Sequence, residues 1–169
     1  MTGQDKSGCV IEVRNLWTQF GTQVVHRDLN LCVHRGEVLS LVGGSGSGKS
    51  TLMREMLGLE QPTRGELRVF GVSLQHGDPL ALRDIRNRWG VLFQEGALFS
   101  ALTVYDNIAL PLRELRSLRE DLIRDLVMLK LEMVGIEARH AAKMPSELSG
   151  GMIKRIALAR ALALEPELV

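Results

Sequence analysis

Gly43-Gly44-Ser45-Gly46-Ser47-Gly48-Lys49-Ser50 is the stretch on which the reading of this chain turns, because it fits the spacing GxxxxGK[ST]. It follows an apolar run, Val38-Leu39-Ser40-Leu41-Val42, and precedes residues 50–59, where Leu52, Met53, Met56 and Leu57 recur at helical spacing. Strand, glycine loop and helix in that order build a phosphate cradle. Glycine lets the backbone curl so that successive N–H groups converge on phosphate oxygens, and the helix start adds a partial positive charge of about half a unit. Gly43, Gly44, Ser45, Gly46, Ser47 and Gly48 would line that cradle, and Lys49 would bridge the terminal phosphates of a nucleotide. Ser50 would offer its hydroxyl to Mg²⁺, and Thr51 would touch the α-phosphate. A flexible glycine linker is the competing account; it needs neither the lysine nor the flanking apolar runs.

Upstream of the loop, residues 10–16 and 24–33 alternate apolar and polar positions, broken by Phe20-Gly21-Thr22 and Arg35-Gly36. That pattern predicts antiparallel strands leading into a buried strand over residues 37–42. Downstream, Gln61-Pro62-Thr63-Arg64-Gly65 ends the helix, and residues 66–72 read as a strand with Phe70 and Val72 on one side. Asp78-Pro79 opens a short helix reaching Arg88, and Val91-Leu92-Phe93 is a second apolar strand. From Thr103 the period becomes helical, first with Val104, Ile108 and Leu112, then over residues 118–134 with Leu122, Leu126, Leu129 and Met133 as the apolar stripe. Residues 96–155 are thus expected to form a helical insert within one domain spanning residues 1–169. Pro145-Ser146-Glu147 ends the insert, Ser149 is placed to cap the next helix, and Ile153, Ile156, Ala157 and Leu164 can face a core. Leu168-Val169 reads as the start of a further strand.

Composition excludes several classes. The 169 residues are 45% hydrophobic and 24% charged, within the range of an ordinary globular domain. Lys and Arg number 21 against 20 Asp and Glu, a net charge of +1, which is no footprint for nucleic acid. No apolar run approaches the ~18 to 20 residues that cross a bilayer, so no transmembrane segment is expected. Residues 1–8 are polar and lack the apolar stretch of a secretion signal, which points to the cytoplasm. Cys9 and Cys32 have no CxxC spacing and are expected as buried small apolar residues rather than a disulfide or zinc site. Trp17 and Trp89 are expected in the core. His26, His34, His76 and His140 share no ligand spacing and are assigned no chemistry.

A phosphate loop by itself does not separate kinases, GTPases and transport motors. Leu148-Ser149-Gly150-Gly151-Met152, followed by an Ala- and Arg-rich helix, resembles the signature motif of ATP-binding cassette (ABC) ATPases. Gln94, after Val91-Leu92-Phe93, stands where that family has its Q-loop glutamine, and Phe20 is similar to the aromatic that stacks on adenine there. The alternative for Phe20 is a core aromatic beside a turn, and for Ser149 a plain helix cap. Gln94-Glu95-Gly96-Ala97-Leu98-Phe99, Tyr105-Asp106-Asn107-Ile108, Pro111-Leu112-Arg113-Glu114 and the segment from Met144-Pro145 through Met152 together resemble the ATPase subunits of Mla-type phospholipid transporters. Met152, where most ABC ATPases carry Gln, resembles the pattern of that branch.

The resemblance implies an α/β P-loop NTPase fold: an ABC nucleotide-binding domain with an N-terminal antiparallel β part, a RecA-like core and a helical insert. It implies ATP and Mg²⁺ as cofactors, with Lys49 and Gln94 acting in hydrolysis and Ser50 and Gln94 ordering the metal. It implies a head-to-tail dimer in which Ser149, Gly150 and Gly151 of one subunit cover the γ-phosphate held by Lys49 of the other. It implies a transmembrane permease docked near residues 95–104 through Leu98, Phe99 and Leu102, on the inner face of the cytoplasmic membrane. In that family an Asp for Mg²⁺, a general-base Glu and a switch His follow residues equivalent to 165–169, and none is in this sequence, so very low turnover by this chain alone is expected. Two rival readings remain: a soluble ABC ATPase without a permease, and a non-hydrolysing nucleotide-binding module.

Overall fold

Alternation of apolar and polar residues produces a long hairpin, β1 (Cys9–Phe20) and β2 (Gln23–His34), closed by the turn that Gly21 begins at φ 57°. The computed structural model describes residues 8–169; apart from Gly8, the polar start read as lacking a secretion signal lies outside the described residues. On its other edge β1 pairs antiparallel with β3 (Arg64–Val69), Ile11 facing Val69 and Val13 facing Leu67. β3 turns at Phe70 and Gly71 into the two-residue strand β4 (Val72–Ser73), so the sheet runs β2-β1-β3-β4, antiparallel throughout. The expected single strand over residues 66–72 is therefore a hairpin, because Phe70 at φ 49° and Gly71 at φ 80° reverse the chain. Val13, Leu16, Leu67 and Val69 form the sheet's buried face.

The chain divides into two compact units, Met1–Ile85 and Arg86–Val169. The first also holds α1 (Lys49–Met56) and all but the last two residues of α2 (Pro79–Asn87). α1 ends where Gly58 takes φ 67° and donates its N–H to the Glu55 carbonyl. Asp78 starts α2 by accepting the Leu80 and Ala81 N–H groups on Oδ2. The apolar run before the glycine loop is not a strand. Val38 and Val42 are 94% and 89% exposed, and among the described residues no backbone ladder runs along it. A parallel strand is specified by its neighbours as much as by its own apolar residues, and none pairs here.

The second unit is built on α3 (Val104–Glu114), α4 (Glu120–Met133) and α5 (Gly150–Ala161). Val104, Ile108 and Leu112 pack with Ile123, Val127, Leu131 and Ile156 in its core. The apolar stripe read for α4 is displaced by one position. Leu122, Leu129 and Met133 are 46%, 48% and 59% exposed, while Ile123, Val127, Lys130 and Leu131 are buried. Val91-Leu92-Phe93 forms no strand either; a single parallel bridge stands two residues earlier, between Trp89 and Leu168. Trp17 and Trp89 are half-buried rather than core, Trp17 lying under the Arg27 guanidinium.

The two cysteines are also corrected: Cys9 and Cys32 are joined by a disulfide between β1 and β2. Pairing of Cys9 with His34 and of Glu12 with Cys32 brings the two Cα atoms to 5.6 Å. Sequence spacing carries no trace of that cross-strand proximity.

Candidate functional site

The glycine loop is shaped by its own backbone. Gly46 and Gly48 sit at φ 79° and 90°, in the left-handed region that L side chains avoid. A Cβ on Gly48 would lie 2.6 Å from His26 Nε2 and 2.7 Å from Val25 Cγ1, and one on Gly43 would lie 2.8 Å from Ser47 Oγ. Gly48 is also the N-cap of α1 and supplies no side-chain cap, so the helix's first N–H groups are not closed off by their own cap residue. Lys49 folds back over the loop, donating from Nζ to the carbonyls of Gly43 and Gly44, both at 2.8 Å, and to Ser47 Oγ at 3.1 Å. An ammonium is thus held at the mouth of the loop by weak neutral acceptors, which an anion can replace. Ser45 and Ser50 are exposed, and Thr51 is half-buried in the first turn of α1.

Beneath the loop lies a buried polar trio that sequence reading assigned no role. Thr18 Oγ1 is 2.6 Å from Glu55 Oε1 and 3.0 Å from His26 Nδ1; His26 Nδ1 is 3.4 Å from Glu55 Oε2, and His26 Nε2 is 3.2 Å from the Gly48 carbonyl oxygen. Two proton arrangements satisfy these bonds with the same total charge. In one, a charged imidazole donates to Thr18 and Gly48, and Thr18 donates to the Glu55 carboxylate. In the other, the Glu55 carboxyl donates to Thr18, Thr18 donates to Nδ1, and Nε2–H still donates to Gly48. Either way the Gly48 carbonyl, which also accepts the Leu52 N–H at 2.9 Å, is held by His26. Burial pushes the Glu55 carboxyl above the usual carboxylate range, opposed by the Thr18 hydroxyl and then by His26. Residue spacing cannot reveal this trio, since β1, β2 and α1 each contribute one member; the polar Glu55 beside the apolar Leu52 on α1 was the one available signal.

Phe20 is exposed at the hairpin tip, opposite Gln23, and is not a core aromatic. In the second unit Gln94 is exposed at the start of a loop fastened from α5. Arg160 donates to the carbonyls of Ala97 at 2.9 Å and Gly96 at 3.0 Å, and a Cβ on Gly96 would lie 2.9 Å from Ile153 Cγ2. Buried Asn107 holds the next turn: its amide donates to the carbonyls of Phe99, Leu102 and Thr103, and its Oδ1 accepts the Phe99 N–H at 2.8 Å. This fixed backbone presents Phe99 53% exposed, whereas Leu98 and Leu102, expected to be exposed with it, are half-buried. Ser149 caps α5, its Oγ accepting the Met152 N–H at 3.3 Å. Gly150 and Gly151 are exposed, and a Cβ on either would meet nothing within 4 Å.

The ABC transporter family matches this chain over residues 26–169. The intermembrane phospholipid transport system ATP-binding protein MlaF of Haemophilus influenzae is 46% identical over 160 residues, which are 95% of this chain and 60% of that protein. The probable ribonucleotide transport ATP-binding protein mkl of Mycobacterium leprae is 43% identical over 167 residues, 99% of this chain and 48% of that protein. The chain therefore spans about half to three-fifths of the curated relatives it matches. Among solved structures, the dimeric bacterial ABC transporter cassette MJ0796 superposes with a TM-score of 0.82 at 33% identity, over 92% of this chain and 70% of that one.

Proposed function

Since the chain belongs to the ABC transporter family, we propose that it is the ATP-binding part of a transport motor that hydrolyses Mg-ATP to move phospholipid between bacterial membranes. The observation that carries this reading is the loop itself: an ammonium resting on neutral carbonyls above an uncapped helix start, a receptor for a polyphosphate. On binding, Gly43 through Gly48 supply N–H groups, Lys49 moves from the carbonyls to the terminal phosphates, and Thr51 meets the α-phosphate. The Ser50 hydroxyl is a hard oxygen donor of the kind Mg²⁺ takes and would hold it, and the family resemblance gives the Gln94 amide a role in ordering the metal. The metal supplies charge neutralisation at the transferring phosphoryl group. Phe20, exposed at the hairpin tip, is available to stack on adenine.

The open space around Gly150 and Gly151 supports an outside ligand there, because neither backbone conformation nor packing among the described residues demands glycine at either position. We assign Ser149, Gly150 and Gly151 to the γ-phosphate held by a second copy. The pinned and projecting Phe99 supports residues 95–104 as the permease contact, with the motor on the cytoplasmic face of the membrane. No helix among the described residues is long and apolar enough to cross a bilayer.

The test is equilibrium binding of a fluorescent ATP analogue with Mg²⁺, together with phosphate release. Lys49→Ala is expected to weaken binding by at least ~100-fold, as loss of a charged contact of about 3 kcal/mol would. Equal binding by the variant would refute the assignment. Phospholipid transfer between vesicles carrying the co-purified permease, compared with ribonucleotide uptake, separates the substrates named for the two relatives.

A further inference from the structure

We propose that Cys9, Cys32 and His34 form a soft-cation site whose occupancy excludes the disulfide: the dithiol form binds one Zn²⁺, and the disulfide form binds none. The placement follows from strand register. Cys9 faces His34 across the ladder, and Cys32 lies two residues before His34 on the same face of β2. Cys32 Sγ is 3.4 Å from His34 Nε2 and 3.8 Å from Nδ1, and the three ligand atoms all lie within 4.8 Å of one another. Zinc bonds of about 2.3 Å to sulfur and about 2.0 Å to nitrogen set tetrahedral edges of roughly 3.6 Å between S and N and roughly 3.7 Å between two sulfurs. The S–N edge is nearly in place. Zinc takes thiolates, and a sulfur bonded in a disulfide has no thiolate to offer, so covalent bond and shared cation cannot coexist.

The surroundings suit a cation. Both cysteines are half-buried and His34 is exposed, with Cys32 also lining an open groove beside Glu12, Arg14 and Asn30, so that a fourth position is reachable by water. Glu37 accepts the His34 backbone N–H at 2.8 Å, bringing a carboxylate to the end of the strand that carries two of the three ligands. The interconversion balances. A dithiol reductant passes two electrons and two protons to the cysteine sulfurs and is itself oxidised to a disulfide. Zn²⁺ then releases both thiol protons to solvent and takes the lone pair of the neutral imidazole.

The experiment uses the 169-residue chain, reduced with a phosphine or left oxidised, and zinc uptake is read by competition with a chromophoric chelator. The reduced chain is expected to take one zinc, the oxidised chain none. His34→Ala should weaken uptake by more than ~10-fold, the low end of the loss produced by removing merely outer-shell partners. Cys32→Ser should abolish it, and Co²⁺ in place of zinc should show the thiolate charge-transfer absorption of two sulfurs. In the unaltered chain, zinc should shield both cysteines from alkylation, a measurement that depends on no variant. A folded, reduced chain that leaves all zinc with the chelator, or uptake indifferent to His34→Ala or to oxidation, would overturn the proposal.

Discussion

His26 reaches the phosphate loop through one contact, the Gly48 carbonyl, and Glu55 stands behind it with a carboxyl that burial holds in its neutral form to higher pH than usual. The folded protein therefore binds a proton more tightly at Glu55 than the unfolded chain does. Between the ordinary value of 4.5 and the raised folded value, stability falls as pH rises, since the native state holds more protons there. Glu55→Gln keeps the shape and removes the titration. Urea midpoints of the two proteins, compared from pH 4 to 8, should show the unaltered chain losing stability relative to the variant as pH rises; a constant difference would mean that Glu55 does not titrate in this window. Gly48 gives a second expectation. Gly48→Ala forces a Cβ to 2.6 Å from His26 Nε2 at φ 90°, at a cost of about 1–3 kcal/mol. Adding His26→Ala removes one of the two clashes and leaves the dihedral and Val25 Cγ1 at 2.7 Å, so the double variant should be less destabilised than the two single effects summed but still strained.

Elements differ in how far their own sequence specifies them. α3 is read correctly from Val104, Ile108 and Leu112 because a strong cap fixes its phase: Thr103 Oγ1 accepts the Asp106 N–H at 3.1 Å and donates to Asp106 Oδ2 at 2.6 Å. Thr103→Ala should cost about 1 kcal/mol in chemical denaturation. The Asp106 carboxyl is lowered first by the Thr103 hydroxyl and then by Arg113, so its stabilisation is complete above 3.8 and disappears as pH falls through the depressed folded value. Asp106→Asn should accordingly flatten the acid limb of the stability profile. α4 is misread because two apolar stripes lie side by side on it. Its buried stripe includes Lys130, which pairing with Glu165 beyond α5 makes tolerable, and a hydrophobicity pattern scores that position as solvent-facing. The glycine-built turn at Gly46 and Gly48 and the Ser149 cap are legible because what specifies them is local. The disulfide, the Thr18–His26–Glu55 trio and the Asn107 staple are not, because each joins residues that only the folded chain brings together.

At the scale of the whole molecule, the two glycine segments differ in what demands their glycines. Gly46 and Gly48 are required from within, by left-handed backbone and, at Gly48, by contact with His26 and Val25. Among the described residues nothing requires Gly150 and Gly151, since a side chain on either would meet open space. A residue pair kept bare without an internal reason is suited to close approach by something external, and in the proposed assembly that is triphosphate carried by a second copy. The two segments should then separate by experiment. Lys49→Ala should weaken nucleotide binding by at least ~100-fold and, with it, nucleotide-dependent self-association. Gly151→Asp adds a carboxylate facing the proposed γ-phosphate position; it should leave binding of a fluorescent ATP analogue to the isolated chain within about twofold, while suppressing the dimer by more than ~10-fold, as a like-charge contact of a few kcal/mol requires. Sedimentation velocity with a non-hydrolysable ATP analogue and Mg²⁺ reads the dimer, and fluorescence anisotropy reads the nucleotide. If Gly151→Asp lowers binding to the single chain as severely as Lys49→Ala does, the signature segment contacts the nucleotide of its own subunit, and the head-to-tail arrangement is wrong.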